Sequence, residues 1–315
     1  MLKYVVLIKN DKNVQVLRKL KTRMSYGKNR VRQGLGVVSV LLLLAGVGMI
    51  LYPLISSRWN ALHESMAIHS YQKIEDSRDG ADLDLLLENA ERYNRRLAGD
   101  EGRWEFSEER HRSYMEQLNP DGGGLMGYIR IPVISASLPI YHGTDDQVLA
   151  KGIGHLEGSS LPVGGKGTHS VLSGHRGLPT ARLFTDLDKV KEGDVFMIHV
   201  LNRELVYKID RISVVVPEDT SLLSISEDDD YCTLMTCTPY GVNSHRLLLR
   251  GSRVCDENPL RENRDDGNLF EHGLDSYLVP AGAAFILIII SRLVRKRKHG
   301  RRIKIIGSYR KKDRG

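Results

Sequence analysis

Two uncharged apolar runs, each lying against a block of cations, constrain this 315-residue chain more than any other feature. The first covers residues 33–57 and is rich in Leu, Val and Gly between 35 and 55. About 20 apolar residues in a helix cross the hydrocarbon core of a bilayer, so the pattern predicts a transmembrane helix over 34–56. A cleaved signal peptide is the competing reading. It would have a short basic region and a prompt small-x-small site, and this chain has neither. The second run, 276–291, is 16 residues long and contains Pro280. Arg292 can snorkel and extend it through Leu293 and Val294, which makes 276–294 a second expected span. A helix buried in protein or lying on a surface is the alternative there.

The charges around these runs set an expected orientation. Residues 1–32 hold ten Lys/Arg and one Asp, and residues 292–315 hold twelve Lys/Arg and one Asp. With +9 and +11 at the ends and +7 overall, the middle of the chain carries −13. Cations flanking a span stay in the cytoplasm, so both termini are expected there. The expected localisation is the cell membrane, crossed twice, with residues 58–275 on the outer face. Basic charge confined to tails is not the footprint of a nucleic-acid binder, whose cations sit on the folded domain.

Between the spans the composition changes twice. Residues 57–118 form a helical and then irregular region, with Leu83, Leu86, Leu87, Ala90, Tyr93 and Leu97 at helical spacing. Residues 98–112 are polar and contain Gly, with Trp104 and Phe106 embedded. They read either as a solvated linker or as a segment laying an aromatic ring over a cleft. The turn cluster Asn119-Pro-Asp-Gly-Gly-Gly124 marks a boundary.

Beyond it, short β-branched runs alternate with Gly, Pro, Asp and Asn punctuation, at 127–132, 170–173, 195–200, 204–209, 212–216, 233–236 and 246–250. That spacing predicts an all-β sandwich or barrel over 119–255, with short helices at 147–151 and 180–187. A polar linker, 256–275, leads to the second run. The basic tails are 1–33 and 295–315.

Three cysteines, Cys232, Cys237 and Cys255, leave at least one thiol unpaired within the chain. On a strand, Cys232 and Cys237 point to opposite faces, so they are poor partners for a disulfide. Cys237 ends a strand and a Pro/Gly/Asn loop follows it. A hairpin of that length returns Arg246 to its neighbourhood, and Arg246, Leu248 and Arg250 share one face of the returning strand. A guanidinium beside a thiol favours the thiolate and can hold a developing oxyanion. The alternative for a lone cysteine is an inert buried hydrophobe.

Acyl transfer by a thiolate also needs a proton donor for the departing amine. Among eleven histidines, His175 leads, because it follows a strand and is flanked by glycines in Ser173-Gly-His-Arg-Gly177. His199 sits inside a strand pattern, and His245 faces away from Arg246. No His or carboxylate pair has metal-ligand spacing, so neither metal nor cofactor is expected.

Seven segments together resemble one family. They are Gly127-Tyr-Ile-Arg-Ile-Pro132, Leu138-Pro-Ile-Tyr-His-Gly-Thr144, Gly152-Ile-Gly-His-Leu-Glu-Gly-Ser-Ser-Leu-Pro162, Ser173-Gly-His-Arg-Gly177, Leu183-Phe-Thr-Asp186, Thr233-Leu-Met-Thr-Cys237 and Gly241-Val-Asn-Ser-His-Arg246. They look like the sortases, and in particular the class C, pilin-polymerising sortases of Gram-positive bacteria. The resemblance covers about 125–254 in detail, and the two-span layout suits the same class.

It implies a closed eight-stranded β-barrel and a Cys–His–Arg site, carried onto Cys237 (nucleophile), His175 (proton donor and acceptor) and Arg246 (oxyanion or substrate stabiliser). It implies cleavage of an LPXTG-like sorting signal between Thr and Gly through a thioester, then transfer to a lysine amine of a pilin subunit. The implied partners are pilins or surface proteins bearing such signals. Class C members often carry an Asp-Pro-aromatic lid. Here the corresponding stretch, Gly99-Asp-Glu-Gly-Arg-Trp-Glu-Phe106, has no Asp-Pro, which leaves Asp100, Trp104 and Phe106 as lid candidates. A housekeeping sortase that attaches surface proteins to cell-wall precursor, and a non-catalytic sortase-like scaffold, are the alternatives.

Overall fold

A computed structural model describes residues 11–254. The second expected span, the polar linker, the C-terminal basic tail and Cys255 lie outside the described residues, as do the first ten residues of the N-terminal tail. The chain divides into two units. The first runs to His63 and includes Leu178–Arg182; the second holds Glu64–Gly177 and the chain from Leu183 onward.

The first unit is built on α1, Asp11–Ser77, whose residues from Glu64 belong to the second. The expected boundaries at 34 and 57 do not interrupt this helix. Along 38–55 its large apolar side chains are open, with Leu42, Met49 and Ile50 at 68%, 79% and 73% exposure. Among the described residues no protein covers this stretch, and by length and composition the helix could cross a membrane.

In the second unit the helices come first. α2, Gly80–Ala98, buries Leu83, Leu87, Ala90, Asn94 and Leu97, a stripe at the predicted helical spacing with one polar member. Asn94 earns its burial by pairing with a backbone amide: Nδ2 donates to the Leu161 carbonyl at 3.0 Å, and Oδ1 accepts from the Leu161 N–H at 2.8 Å. α3, Glu108–Met115, falls where irregular chain was expected. Ser107 caps it by accepting from the Arg110 N–H at 3.2 Å, Glu108 and Glu109 stabilise its first turn, and it buries only Tyr114.

Eight strands follow: β1 Leu125–Ile131, β2 Ala136–His142, β3 Ile153–His155, β4 Thr168–Ser173, β5 Val195–Val200, β6 Arg203–Val215, β7 Asp230–Thr238 and β8 His245–Arg253. They close into a barrel in the order β1-β2-β3-β4-β7-β8-β6-β5. All neighbours are antiparallel except β2–β3 and β4–β7. A parallel neighbour needs a crossover, and between β2 and β3 a four-residue helix, α4 (Asp146–Leu149), lies in that connection.

The helix expected at 180–187 does not form. Those residues turn instead, and a 3-10 turn follows at Leu187–Lys189. The strands expected at 204–209 and 212–216 are one strand, β6, with an irregularity between Ile209 and Arg211.

Inward positions fill the barrel. Ile129, Ile140, Ile153, Leu172, Ile198, Leu234 and Leu249 are all fully buried. A second, smaller apolar cluster forms on the other face of the sheet: Val171, Leu223 and Leu248, with Leu156, Val215, Leu222 and Met235 packed against it. Leu222 and Leu223 come from the 3-10 turn Ser221–Leu223 between β6 and β7.

Candidate active site

Alternation along β7 decides which side chains reach the outer face. Cys232, Leu234 and Thr236 point inward and are at most 1% exposed, whereas Met235 and Cys237 are half-buried on the opposite face. Burial pushes the Cys232 thiol up, away from the reactive thiolate. Cys237 is the penultimate residue of β7, and in the β7–β8 ladder its partner is Arg246. The turn between them, 239–244, is closed by Val242 and Asn243 N–H groups donating to the Pro239 carbonyl at 3.1 and 3.0 Å. The Arg246 Nη1 donates to the carbonyls of Asn243 and His245 at 3.4 and 3.3 Å, which leans the guanidinium along the hairpin mouth.

His175 arrives from the other side of β7. The parallel β4–β7 ladder ends at Ser173 opposite Met235. It is continued by the Gly174 N–H donating to the Met235 carbonyl at 3.0 Å and by Thr236 Oγ1 donating to the Gly174 carbonyl at 2.8 Å. Carried two residues beyond Ser173, the register sets His175 beside Cys237. Its face follows from Gly174: a Cβ there would meet Ile153 Cδ1 at 2.6 Å and Phe184 Cδ2 at 2.7 Å, inside the barrel. Position 174 therefore faces the core, and 175 faces out, as Cys237 does. Val215 of β6 is the register partner of Arg246 on its far side. β7, β8 and β6 thus present Cys237, Arg246 and Val215 in one row on one face, and the chain just past the end of β4 carries His175 toward the Cys237 side of that row.

The remaining described histidines of the barrel are occupied elsewhere. His199 stacks on Tyr128 at 4.7 Å and meets Glu75 at 3.1 Å. His245 bonds Ser244. His155 and His169 are buried and held neutral, their pKa values pushed down by burial to about 3 and about 4. His142 is buried between the carbonyls of Gly124 and Gln117.

Asp100, Trp104 and Phe106, the lid candidates, line one cavity of about 280 Å³ together with Tyr93, Arg110, Glu157 and Gly158. Cys237, His175 and Arg246 do not line it. Trp104 lies against Gly158, where a Cβ would come within 2.7 Å of the indole. Arg103 pins the segment, donating to the Leu223 carbonyl at 2.9 Å. The aromatic ring expected over a cleft is therefore anchored beside the Glu157–Gly158 turn.

Two features escaped the sequence reading. The outer apolar cluster adjoins the row, since Met235 lies two residues before Cys237 and Leu248 two after Arg246. The signal was present, because Val215 and Leu248 occupy outward positions of strands that were recognised. The second is Arg176, directly after His175, whose Nη2 meets Asp188 at 2.5 Å. The motif Ser173-Gly-His-Arg-Gly177 contained it unremarked.

Comparison with known proteins identifies the family of the barrel. Residues 129–254 match the model of the sortase domain. The chain is 33% identical over 140 residues to sortase D of Bacillus subtilis (strain 168), covering 44% of this chain and 68% of that one. Among solved structures it resembles sortase C1 of Streptococcus agalactiae, with 48% identity and a TM-score of 0.59 over 61% of this chain and 100% of that one. It also resembles sortase C of Streptococcus pneumoniae, with 42% identity and a TM-score of 0.54 over 61% and 98%.

Proposed function

This chain belongs to the sortase family, whose members are cysteine transpeptidases, and from that premise we propose that it polymerises pilins by a thioester mechanism centred on Cys237. The observation that carries the reading is the pairing of Cys237 with Arg246 across the β7–β8 hairpin, with His175 two residues past the end of β4 on the other side of β7.

In this reading the Cys237 thiolate attacks the carbonyl carbon between Thr and Gly of an LPXTG-like sorting signal. A C–S bond forms, and the carbonyl oxygen takes up negative charge beside the Arg246 guanidinium. The C–N bond then breaks, and protonated His175 gives its proton to the leaving glycine amine. A thioester remains on Sγ. A lysine amine of a pilin subunit attacks it, neutral His175 removes the ammonium proton, and the thiolate leaves as the new amide forms.

Similarity to class C sortases supports lysine as the acceptor. The exposed apolar stretch of α1 and the basic N-terminal tail support an anchored enzyme. We place both termini in the cytoplasm, the barrel of 119–255 on the outer face, and a second span at 276–294.

The test is acceptor choice with full-length protein in detergent. The enzyme is incubated with a sorting-signal peptide and either a pilin-derived lysine peptide or a cell-wall-type amine. Preferential ligation to lysine, lost in Cys237→Ala, is expected. Preference for the cell-wall amine would transfer the reading to a housekeeping sortase.

A further inference from the structure

The side chain after each proposed reacting residue is joined to the other. Arg176 directly follows His175 and Thr238 directly follows Cys237. Arg176 Nη1 donates to Thr238 Oγ1 at 3.4 Å while Nη2 meets Asp188 at 2.5 Å. The two loops touch again one residue on, where the Tyr240 ring lies against Gly177. A Cβ at that glycine would be 2.6 Å from Tyr240 Cε2, and the φ of +80° favours glycine there as well. On its other side the His175 loop is held by the Phe184 N–H donating to the His175 carbonyl at 3.1 Å, and by the Gly177 N–H donating to Thr185 Oγ1 at 3.1 Å.

We propose that Arg176, held by Asp188, is a positioning residue that keeps His175 in register with Cys237 through Thr238, a role that rests on reading those two residues as the reacting pair. Past Ser173 the ladder offers His175 only the two hydrogen bonds at Gly174, so the histidine stands one residue beyond its last tie to β7. Arg176 supplies the next one. Its side chain is only 10% exposed, and its Nε–H is buried with no hydrogen-bond partner among the described residues. Buried donors left unpaired are rare because they cost free energy. A guanidinium required only for packing would turn that N–H to an acceptor or to water; here the fork is committed to two partners on two other segments. The planar fork also explains the residue type, since an ammonium is a point charge that cannot span both partners in one fixed plane.

The test uses the full-length protein in detergent, with Arg176→Ala, Arg176→Lys and Thr238→Val beside Cys237→Ala and His175→Ala. The readouts are kcat and KM for cleavage of a sorting-signal peptide, the pH profile of Cys237 alkylation by iodoacetamide, and the thermal midpoint. Arg176→Ala is expected to lower kcat about a hundredfold, the scale of loss from misplacing a reacting group by about 1 Å. KM is expected to stay within about threefold, since ground-state binding is untouched. The alkylation profile should move toward that of His175→Ala, and Arg176→Lys should recover part of both effects. Thr238→Val, a near-isosteric change at a half-buried position, should move the same readouts in the same direction and decides the matter should Arg176→Ala fail to fold. Folded variants that keep the wild-type kcat and alkylation profile overturn the role, even with a lowered midpoint. Full activity in Cys237→Ala or His175→Ala would instead overturn the site reading itself; inactivity there with normal Arg176 and Thr238 variants overturns the positioning role alone.

Discussion

Thr236→Val is the substitution that most cleanly probes how the barrel delivers His175. Thr236 is 1% exposed, and its Oγ1 donates to the Gly174 carbonyl at 2.8 Å, one residue before the histidine. Valine keeps the shape and β-branching, so packing and strand propensity hardly change. What is lost is one buried hydrogen bond, and the Gly174 carbonyl is left short of a partner. A net bond is worth about 0.5–1.5 kcal/mol and an unsatisfied buried group costs about 1–3, so the loss should be about 1–2 kcal/mol. Thr233→Val is the matched control. It too is 1% exposed on β7, and its hydroxyl bonds His169 Nε2 at 2.7 Å, away from the row. Urea titration of the full-length protein in detergent, followed by tryptophan fluorescence, should give both variants similar losses. Peptide cleavage should separate them, with kcat falling about tenfold or more in Thr236→Val through looser placement of His175 and staying near wild type in Thr233→Val. Equal kcat in the two variants would refute the reasoning, because stability alone would then account for every effect of the Gly174 tie.

Other predictions follow from the buried groups. His155 and His169 are held neutral in the fold, with pKa values near 3 and 4 against about 6.5 in the unfolded chain. On lowering pH the unfolded state binds protons first, so this stability is complete above about 6.5 and is lost as pH falls toward the folded values, at about 1.4 kcal/mol per unit for each ring. Urea midpoints at pH 7.5 and 5 should differ by about 2–4 kcal/mol in stability, and equal midpoints would contradict the burial argument. Cys232, fully buried with its thiol pushed up, should resist iodoacetamide under native conditions while Cys237 reacts; peptide mapping by mass spectrometry checks this, and labelling of Cys232 first would reverse the assignment of faces. Asn94→Ala should cost about 1–3 kcal/mol by unpairing both backbone groups of Leu161, and an unchanged urea midpoint would show that α2 is not fastened there.

How much of this was legible in the sequence depended on range. The Cys237–Arg246 pairing follows from counting along one hairpin, where a strand, a six-residue turn and a returning strand leave little freedom of register. The faces of Cys232 and Cys237 follow from the period of two. His175 is different. Its place beside Cys237 depends on β4 and β7 being parallel neighbours, with β5 and β6 between them in the chain, and no local pattern encodes that. Glycine flanks made it the leading candidate without locating it.

Short elements were lost for related reasons. β3 is three residues in a glycine-rich stretch, too brief for periodicity, and only the family resemblance marked it. α3 buries a single side chain, so its sequence reads as polar all round despite the Ser107 cap and the Glu108–Glu109 start. β6 read as two strands because Asp210 interrupts the apolar alternation; in the fold it sits at a ladder irregularity and pairs with Arg250 at 2.9 Å. The lid candidates Asp100, Trp104 and Phe106 were legible from their place in a polar, glycine-containing stretch ahead of the barrel. Their docking on Gly158 depends on a tertiary contact between segments 54 residues apart, Trp104 to Gly158.

The claim at the centre of this account is that Cys237 carries the acyl group, and trapping that intermediate tests it most directly. Full-length protein is mixed with a sorting-signal peptide without an acceptor amine, quenched in acid, digested and mapped by mass spectrometry. A peptide adduct is expected on Cys237 alone, released by hydroxylamine, absent in Cys237→Ala and accumulating more slowly in His175→Ala and Arg246→Ala. An adduct on another residue, or undiminished cleavage in Cys237→Ala, would contradict it.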